Sequence, residues 1–291
     1  KNPGLIAPEG RQREIINRIK EGLRDLSISR KGLSWGIELP FDKSHRAYVW
    51  YDALTNYLSG VGGIDNPESF DKFWPADVHI IGKDILWFHT VIWHAMLLSA
   101  GYELPKKVFA HGWWTVKSKK MGKSAGNAVK IDQLLSYGGV DSARYFLLRS
   151  TPFGDDGDFS EDALVERHNS ELADKFGNLV SRVSALIEKY DLTEAEPLDF
   201  SETLKKVEKH LEDLEFDKAL NVVFAFIDYC NEYIQEKKPW ETKDNKVLYQ
   251  LANAIKDITI ILSPFIPESC EKIAKEFSFD INYEGFKNKL K

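Results

Sequence analysis

Val78-His-Ile-Ile-Gly-Lys-Asp84 runs directly into Ile85-Leu-Trp-Phe-His-Thr-Val-Ile-Trp93, and a second short apolar run, Lys107-Val-Phe-Ala-His111, follows beyond Gly101. The first run is β-type over Val78–Ile81 and meets a turn at Gly82. A long apolar helix is expected from Asp84 to about Ala100. Gly101 stops it, because glycine takes the left-handed conformation that closes helices. Strand, glycine turn, helix and strand make a βαβ unit, which predicts a parallel sheet. Ala47 to Trp50 (AYVW) reads as an earlier strand. Beyond about residue 160 the strand signal fades. Residues 161–190, 202–237, 242–263 and 267–277 repeat their apolar positions at a period near 3.6, with Pro239, Pro264 and Pro267 as punctuation. This second part reads as a helical bundle, so the fold class is α/β followed by all-α.

Bulk properties bound the rest. A chain of 291 residues can hold two domains, and 43% hydrophobic with 29% charged residues fits a soluble globular protein. No uncharged apolar run reaches the roughly 18 residues that a membrane span requires, and no secretory signal opens the chain. Two cysteines, Cys230 and Cys270, cannot build a disulfide framework or a metal knuckle alone, which points to a reducing, cytoplasmic setting, with an organelle as the other option. The net charge of −6 argues for a local RNA-contacting patch at most. Lys1 and the linker-like NPGLIAPEG (residues 2–10) suggest a fragment or one piece of a split protein.

The densest local signal is Lys117-Ser-Lys-Lys-Met-Gly-Lys-Ser-Ala-Gly-Asn127. Five lysines and no acid lie between residues 117 and 130. A cationic loop with Gly122 and Gly126 suits a transient polyanion such as a triphosphate. By charge alone a solvated basic loop is the more frequent explanation. In the helix after Asp84, Ile85, His89 and Trp93 stand at i, i+4 and i+8 and so share a face. Spacing alone assigns such a face to ordinary packing.

Lys120-Met-Gly-Lys-Ser124, preceded by the strand-like His111-Gly-Trp-Trp114, resembles the KMSKS signature of class I aminoacyl-tRNA synthetases, with Gly122 where that family usually has serine. Tyr48-Val-Trp-Tyr-Asp-Ala-Leu-Thr-Asn-Tyr57 and Ile81 to Trp93 resemble the two pocket segments of methionyl-tRNA synthetases. The resemblance implies the second half of a Rossmann catalytic domain over residues 1–116, a lysine loop and stem-contact region over 117–160, and an anticodon-binding helical domain over 161–291. It implies Trp50, Ala53, Leu54, Tyr57, Ile85, His89 and Trp93 as methionine-binding positions. Aromatic walls suit a thioether, at about 0.3–1.5 kcal/mol per sulfur–aromatic contact.

For ATP, carried with Mg2+, the resemblance implies Glu38, Gly82, Asp84, His111, Gly112, Trp114, Lys120, Lys123 and Ser124, with Lys120 and Lys123 as the catalytic pair. Arg30 matches a family arginine near the active site; an ordinary ion pair is the other explanation for Arg30 and Glu38. Asn178 and Arg182, one turn apart, and Trp240, beside Lys237 and Lys238, correspond to anticodon-reading positions, where unpaired bases stack on aromatic or guanidinium planes. No H-x-G-H occurs, and the cysteines of the family's metal knuckle are absent, so zinc is not expected within this chain. The implied function is methionyl-tRNA synthesis, with L-methionine, ATP, tRNA(Met) and a missing N-terminal catalytic half as partners. A non-catalytic tRNA-binding module and a class I synthetase for another amino acid are the alternatives.

Overall fold

A computed structural model describes residues 2–63, 65–122 and 126–282. The chain forms two compact units, Lys1–Gly112 and Trp113–Lys291.

In the first unit, β1 (Ile6–Ala7) leads into helix α1 (Glu9–Lys20), and an antiparallel sheet follows from β2 (Ser29–Lys31), β3 (Glu38–Leu39) and β4 (Asp42–Ala47). Short helices α2 (Val49–Ala53), α3 (Asn56–Ser59) and α4 (Pro67–Phe73) come next. Asn66 caps α4 by accepting from Ser69 N–H at 3.1 Å, with Pro67 pre-set at the first helical position. The strand read over Ala47–Trp50 is therefore displaced: Ala47 closes β4, and Val49 already opens α2. Apolar runs of four residues suit either state, and only partners for the backbone decide between them.

β5 (His79–Gly82) and β6 (Val108–His111) form the expected parallel pair, with β1 on the other side of β6. Gly82 pairs with His111, and Ile6 with Val108. Val108, Phe109 and Ala110 are all buried because the central strand is covered on both faces. β5 instead alternates: His79 and Ile81 are buried, and Ile80 is 49% exposed.

The helical run after β5 is not uniform. It begins as a tight 3₁₀ turn over Lys83–Ile85, widens to a π turn over Phe88–Ile92, and settles into α5 (Trp93–Ala100), closed by Gly101 at φ 78°. Two side chains in the wide turn bond back to carbonyls four residues earlier: Thr90 Oγ1 donates to Leu86 O at 2.7 Å, and His89 Nδ1 to Ile85 O at 3.0 Å. Such back-bonding competes with the regular ladder and accompanies π turns at functional positions. One consequence corrects the single-face reading: Ile85 packs with Ile81 and Leu86, whereas Trp93 packs with Leu54, Trp74 and Leu97.

In the second unit, β7 (Trp114–Val116) pairs antiparallel with β8 (Lys119–Lys120) and parallel with β9 (Gly157–Phe159). Helices α6 (Ile131–Ser136) and α7 (Gly139–Arg149) lie between β8 and β9 in the chain. Then α8 (Glu161–Arg167), a wide-turn segment His168–Gly177 and α9 (Asn178–Ile187) run on as one rod. The stretch read as one helix over 202–237 is two: α10 (Ser201–Glu212) and α11 (Phe216–Lys237), separated where Leu214 adopts φ 60°. α12 (Pro239–Thr242), α13 (Asn245–Leu262) and α14 (Pro267–Glu276) complete the bundle. Its core includes Val183, Leu220, Ile227, Leu251 and Ile255, and both cysteines lie in it, free and buried. Burial pushes the Cys230 thiol up to about 12.

Glu171 ties this bundle to α7. Its carboxylate accepts from Tyr145 Oη, from Arg149 at 3.1 Å and from Arg167 at 2.9 Å, while Arg149 also reaches Asp217 O at 3.2 Å. A carboxylate so surrounded is one of the few ways to bury a charge without a large penalty. Among the described residues no helix is long and apolar enough to cross a membrane, and no group of three potential metal ligands stands together.

Candidate functional site

The aromatic wall of the first unit is built on His89. Its Nδ1 faces the Ile85 carbonyl, which can only accept, so Nδ1 carries the proton. In the neutral ring Nε2 is then an acceptor, and Tyr57 Oη donates to it at 2.9 Å. Burial lowers the pKa of His89, against the opposing pull of the Ile85 carbonyl, and raises that of Tyr57. Both therefore stay uncharged near neutrality, which suits a pocket for an uncharged side chain.

Trp50 stacks on Phe88 with ring centroids 4.3 Å apart and 12° between planes, and presents an edge contact to His89 at 6.2 Å. Tyr57 lies over His79 at 4.2 Å and near Trp93 at 6.0 Å. Trp93 Nε1–H donates to His79 Nε2 at 3.3 Å, which requires that nitrogen to be unprotonated. Burial, reinforced by His89 and His94, pushes His79 down to about 4. Leu54 and Trp93 are fully buried and form the floor of this cluster, with Trp50 and Tyr57 only partly covered. Ala53 ends α2 one residue before Leu54. Phe88 and His79 belong to the wall as well, and no sequence signal marks them. His79 looks like an ordinary inward strand position, and the stacking partner of Trp50 depends on a contact 38 positions along the chain.

A second feature lies at the carboxyl ends of β5 and β6, where open parallel sheets bind ligands. A Cβ placed on Gly82 would stand 2.7 Å from Asp84 Oδ1, so glycine is what lets the carboxylate fold over the strand end. His111, level with Gly82 in the register, donates from Nδ1 to Gly112 O at 2.8 Å. Gly82, Asp84, His111 and Gly112 thus gather at one strand end. Glu38 pairs with Arg46 at 3.1 Å within the antiparallel sheet, its side chain 52% exposed. Arg30 faces Arg46 across β2 and β4, with its guanidinium 4.4 Å from the Tyr48 ring centroid.

In the second unit the lysine loop stands on a hairpin. Lys117 and Ser118 both take left-handed conformations, at φ 52° and 60°, and Asp158 steadies the turn by accepting from Ser118 N–H at 2.9 Å. Trp114 packs on Phe146 at 5.6 Å, and Gly157 beside it leaves no room for a Cβ. The indole of Trp114 is therefore a packing element of this unit. Lys120 ends β8 with its ammonium 3.5 Å from the Trp113 ring centroid. Lys123 and Ser124 lie outside the described residues.

Asn178 opens α9, exposed, and its amide donates to Asp174 O at 2.9 Å. The side chain of Arg182, one turn on, makes no ion pair or hydrogen bond with a described residue. Lys175 joins α11 through Asp228 at 2.7 Å, and Asn231 donates to Lys175 O at 3.2 Å, so α11 crosses this rod just before Asn178. Trp240 sits at the far end of α11, partly buried against the bundle core, after Lys238 turns left-handed at φ 44°.

Residues 3–184 match the family of class I tRNA synthetases of the methionine (M) type, and residues 199–289 match the anticodon-binding domain of tRNA ligases. The chain is 44% identical to the methionine–tRNA ligase of Caldanaerobacter subterraneus subsp. tengcongensis over 94% of its own length and 46% of that protein's. It is 42% identical to the methionine–tRNA ligase of Clostridium tetani over 96% and 47%. Among solved structures, methionyl-tRNA synthetase of Mycobacterium tuberculosis in complex with methionyl-adenylate superposes with a TM-score of 0.85 at 39% identity, covering 94% of this chain and 58% of that one. The free form of that enzyme gives 0.82. The chain spans about half the length of the curated relatives it matches. On these matches, and with a parallel-sheet unit followed by a helical bundle, the chain belongs to the methionyl-tRNA synthetase family of class I tRNA synthetases.

Proposed function

We propose that the chain supplies the methionine pocket, the lysine loop and the anticodon-binding bundle of a cytoplasmic methionine–tRNA ligase, and that it requires a second half carrying the HIGH-type motif to catalyse. The observation that carries this reading is the neutral Tyr57–His89–Ile85 chain within an aromatic wall. An uncharged, polarisable lining is what a thioether needs, with one polar group to orient it.

The proposed reaction has two steps. A carboxylate oxygen of methionine attacks the α-phosphorus of ATP, forming the acyl–phosphate bond as the bond to the bridging oxygen breaks and pyrophosphate leaves with its Mg2+. A ribose hydroxyl of the tRNA 3′ adenosine then attacks the acyl carbon and releases AMP. Such displacements depend on alignment and charge neutralisation. Lys120 and Lys123 neutralise the leaving pyrophosphate, and Gly82, Asp84, His111 and Gly112 receive the nucleoside. Asn178, Arg182 and Trp240 read the anticodon. A purely RNA-binding chain has no use for this uncharged aromatic wall.

Methionine-dependent ATP–pyrophosphate exchange tests the reading. The isolated chain is expected to show none, and addition of a separately expressed N-terminal half of a relative is expected to restore it. Exchange driven best by leucine, isoleucine, valine or cysteine in the restored enzyme would replace methionine as the substrate. Exchange by the chain alone would remove the need for a second half.

A further inference from the structure

Lys120 has a seat of its own in the second unit. Its ammonium lies 3.5 Å from the Trp113 ring centroid, within the range of a cation–π contact with the best of the aromatic partners. The backbone beneath it is pinned. Asn127 Nδ2–H donates to Lys120 O at 3.2 Å, Asn127 Oδ1 accepts from Gly122 N–H at 3.0 Å, and Met121 N–H donates to Trp114 O at 3.4 Å. One asparagine amide therefore spans the base of the loop. Trp113 is anchored too, its N–H donating to Asp156 Oδ1 at 2.8 Å. No carboxylate among the described residues pairs with Lys120.

We propose that Trp113 is a positioning residue for the motif lysine: its indole holds the Lys120 ammonium at rest and releases it to an incoming polyphosphate. The proposal rests on the reading of Lys120 as a triphosphate ligand. A ring attracts a cation without bringing a counter-charge. A carboxylate in the same place would hold the lysine but repel the triphosphate that must replace it. The indole therefore orders the side chain at a modest cost to affinity. The Asn127 clamp keeps the Lys120 backbone in place, so release needs side-chain rotation alone.

Ring-current shifts and polyphosphate binding test this on the chain itself, with sodium tripolyphosphate as probe. The Lys120 ε-methylene protons, assigned by their loss in Lys120→Met, are expected upfield of the ordinary lysine position. They should stay upfield in Trp113→Phe and return to the ordinary position in Trp113→Leu or when tripolyphosphate saturates the chain. By calorimetry, Trp113→Leu should bind tripolyphosphate about two- to fivefold tighter, the size of an exposed cation–π contact. In a Lys120→Met background the same change should have no effect. If Trp113→Leu does not fold, the wild type, Trp113→Phe and Lys120→Met still give the shift and its reversal. Unshifted methylene protons in the wild type overturn the seat, and so does an equal affinity gain with and without Lys120. Should Lys120→Met bind tripolyphosphate as well as the wild type, the nucleotide reading of Lys120 fails, and the competition falls with it while the shift still reports the seat.

Discussion

The hydroxyl of Tyr57 lies 2.9 Å from His89 Nε2 and donates to it, because the Ile85 carbonyl at Nδ1 already fixes the tautomer of this buried histidine. Removing the hydroxyl leaves an acceptor buried without its donor. Tyr57→Phe should therefore destabilise the first unit by about 1–3 kcal/mol, the usual cost of an orphaned buried polar group. It should also weaken methionine binding in the restored enzyme. Urea unfolding and methionine titration check both, and unchanged values for the two would show that the bond does not organise the pocket.

The histidines of this unit make its stability fall on acidification. Burial brings His79 and His94 down to about 4 each. In the unfolded chain both bind protons below about 6.5. Between pH 6.5 and 4 the unfolded state thus carries more protons, so the stability these neutral rings contribute is complete above pH 6.5 and is lost as pH falls toward 4. From pH 7.5 to 5.5 the loss should be about 1 kcal/mol per ring. Urea midpoints at the two pH values measure it, and His79→Gln should flatten the difference by one ring's share.

Gly82 is a test of the strand-end site. An alanine Cβ would meet Asp84 Oδ1 at 2.7 Å and push the carboxylate aside, a movable group rather than backbone. Gly82→Ala should fold with little loss but raise the KM for ATP in exchange assays of the restored enzyme several-fold. An unaltered KM would take Asp84 out of the nucleotide site.

The Glu171 hub predicts a large effect on the second unit. Glu171→Ala strands Arg149, whose side chain is only 12% exposed, and orphans Tyr145 Oη. A loss of about 3 kcal/mol is expected, typical of breaking a buried pair from one side. Denaturant unfolding followed by far-ultraviolet circular dichroism would register it. A loss below about 1 kcal/mol would place the network among surface pairs.

At the bundle, Trp240→Ala should cost a CAU-containing stem-loop about 1–3 kcal/mol of binding, the contribution of one stacked base. A stem-loop with another anticodon should lose much less. Equal losses on both would assign Trp240 to packing, in keeping with its partial burial against the core.

The sequence alone determined the parts whose cause is local. Strands β5 and β6 fall within one residue of Val78–Ile81 and Lys107–His111, because short apolar runs bounded by Gly82 and Gly101 leave the backbone few choices. The bundle after residue 160 was readable from its period of 3.6, although Leu214 splits a stretch whose apolar rhythm continues across the break. Only the tertiary structure decided the rest. Ala47–Trp50 became a strand end and a helix start according to which backbone partners were in reach. The hairpin at Lys117–Ser118 exists because Asp158, forty residues away, satisfies its turn. Trp50 met Phe88, Tyr57 met His79, and Lys120 met Trp113 through contacts that no spacing along the chain encodes. Side-chain chemistry states what a residue can bind, but burial, tautomer and the neighbouring ring come into being only when distant segments pack.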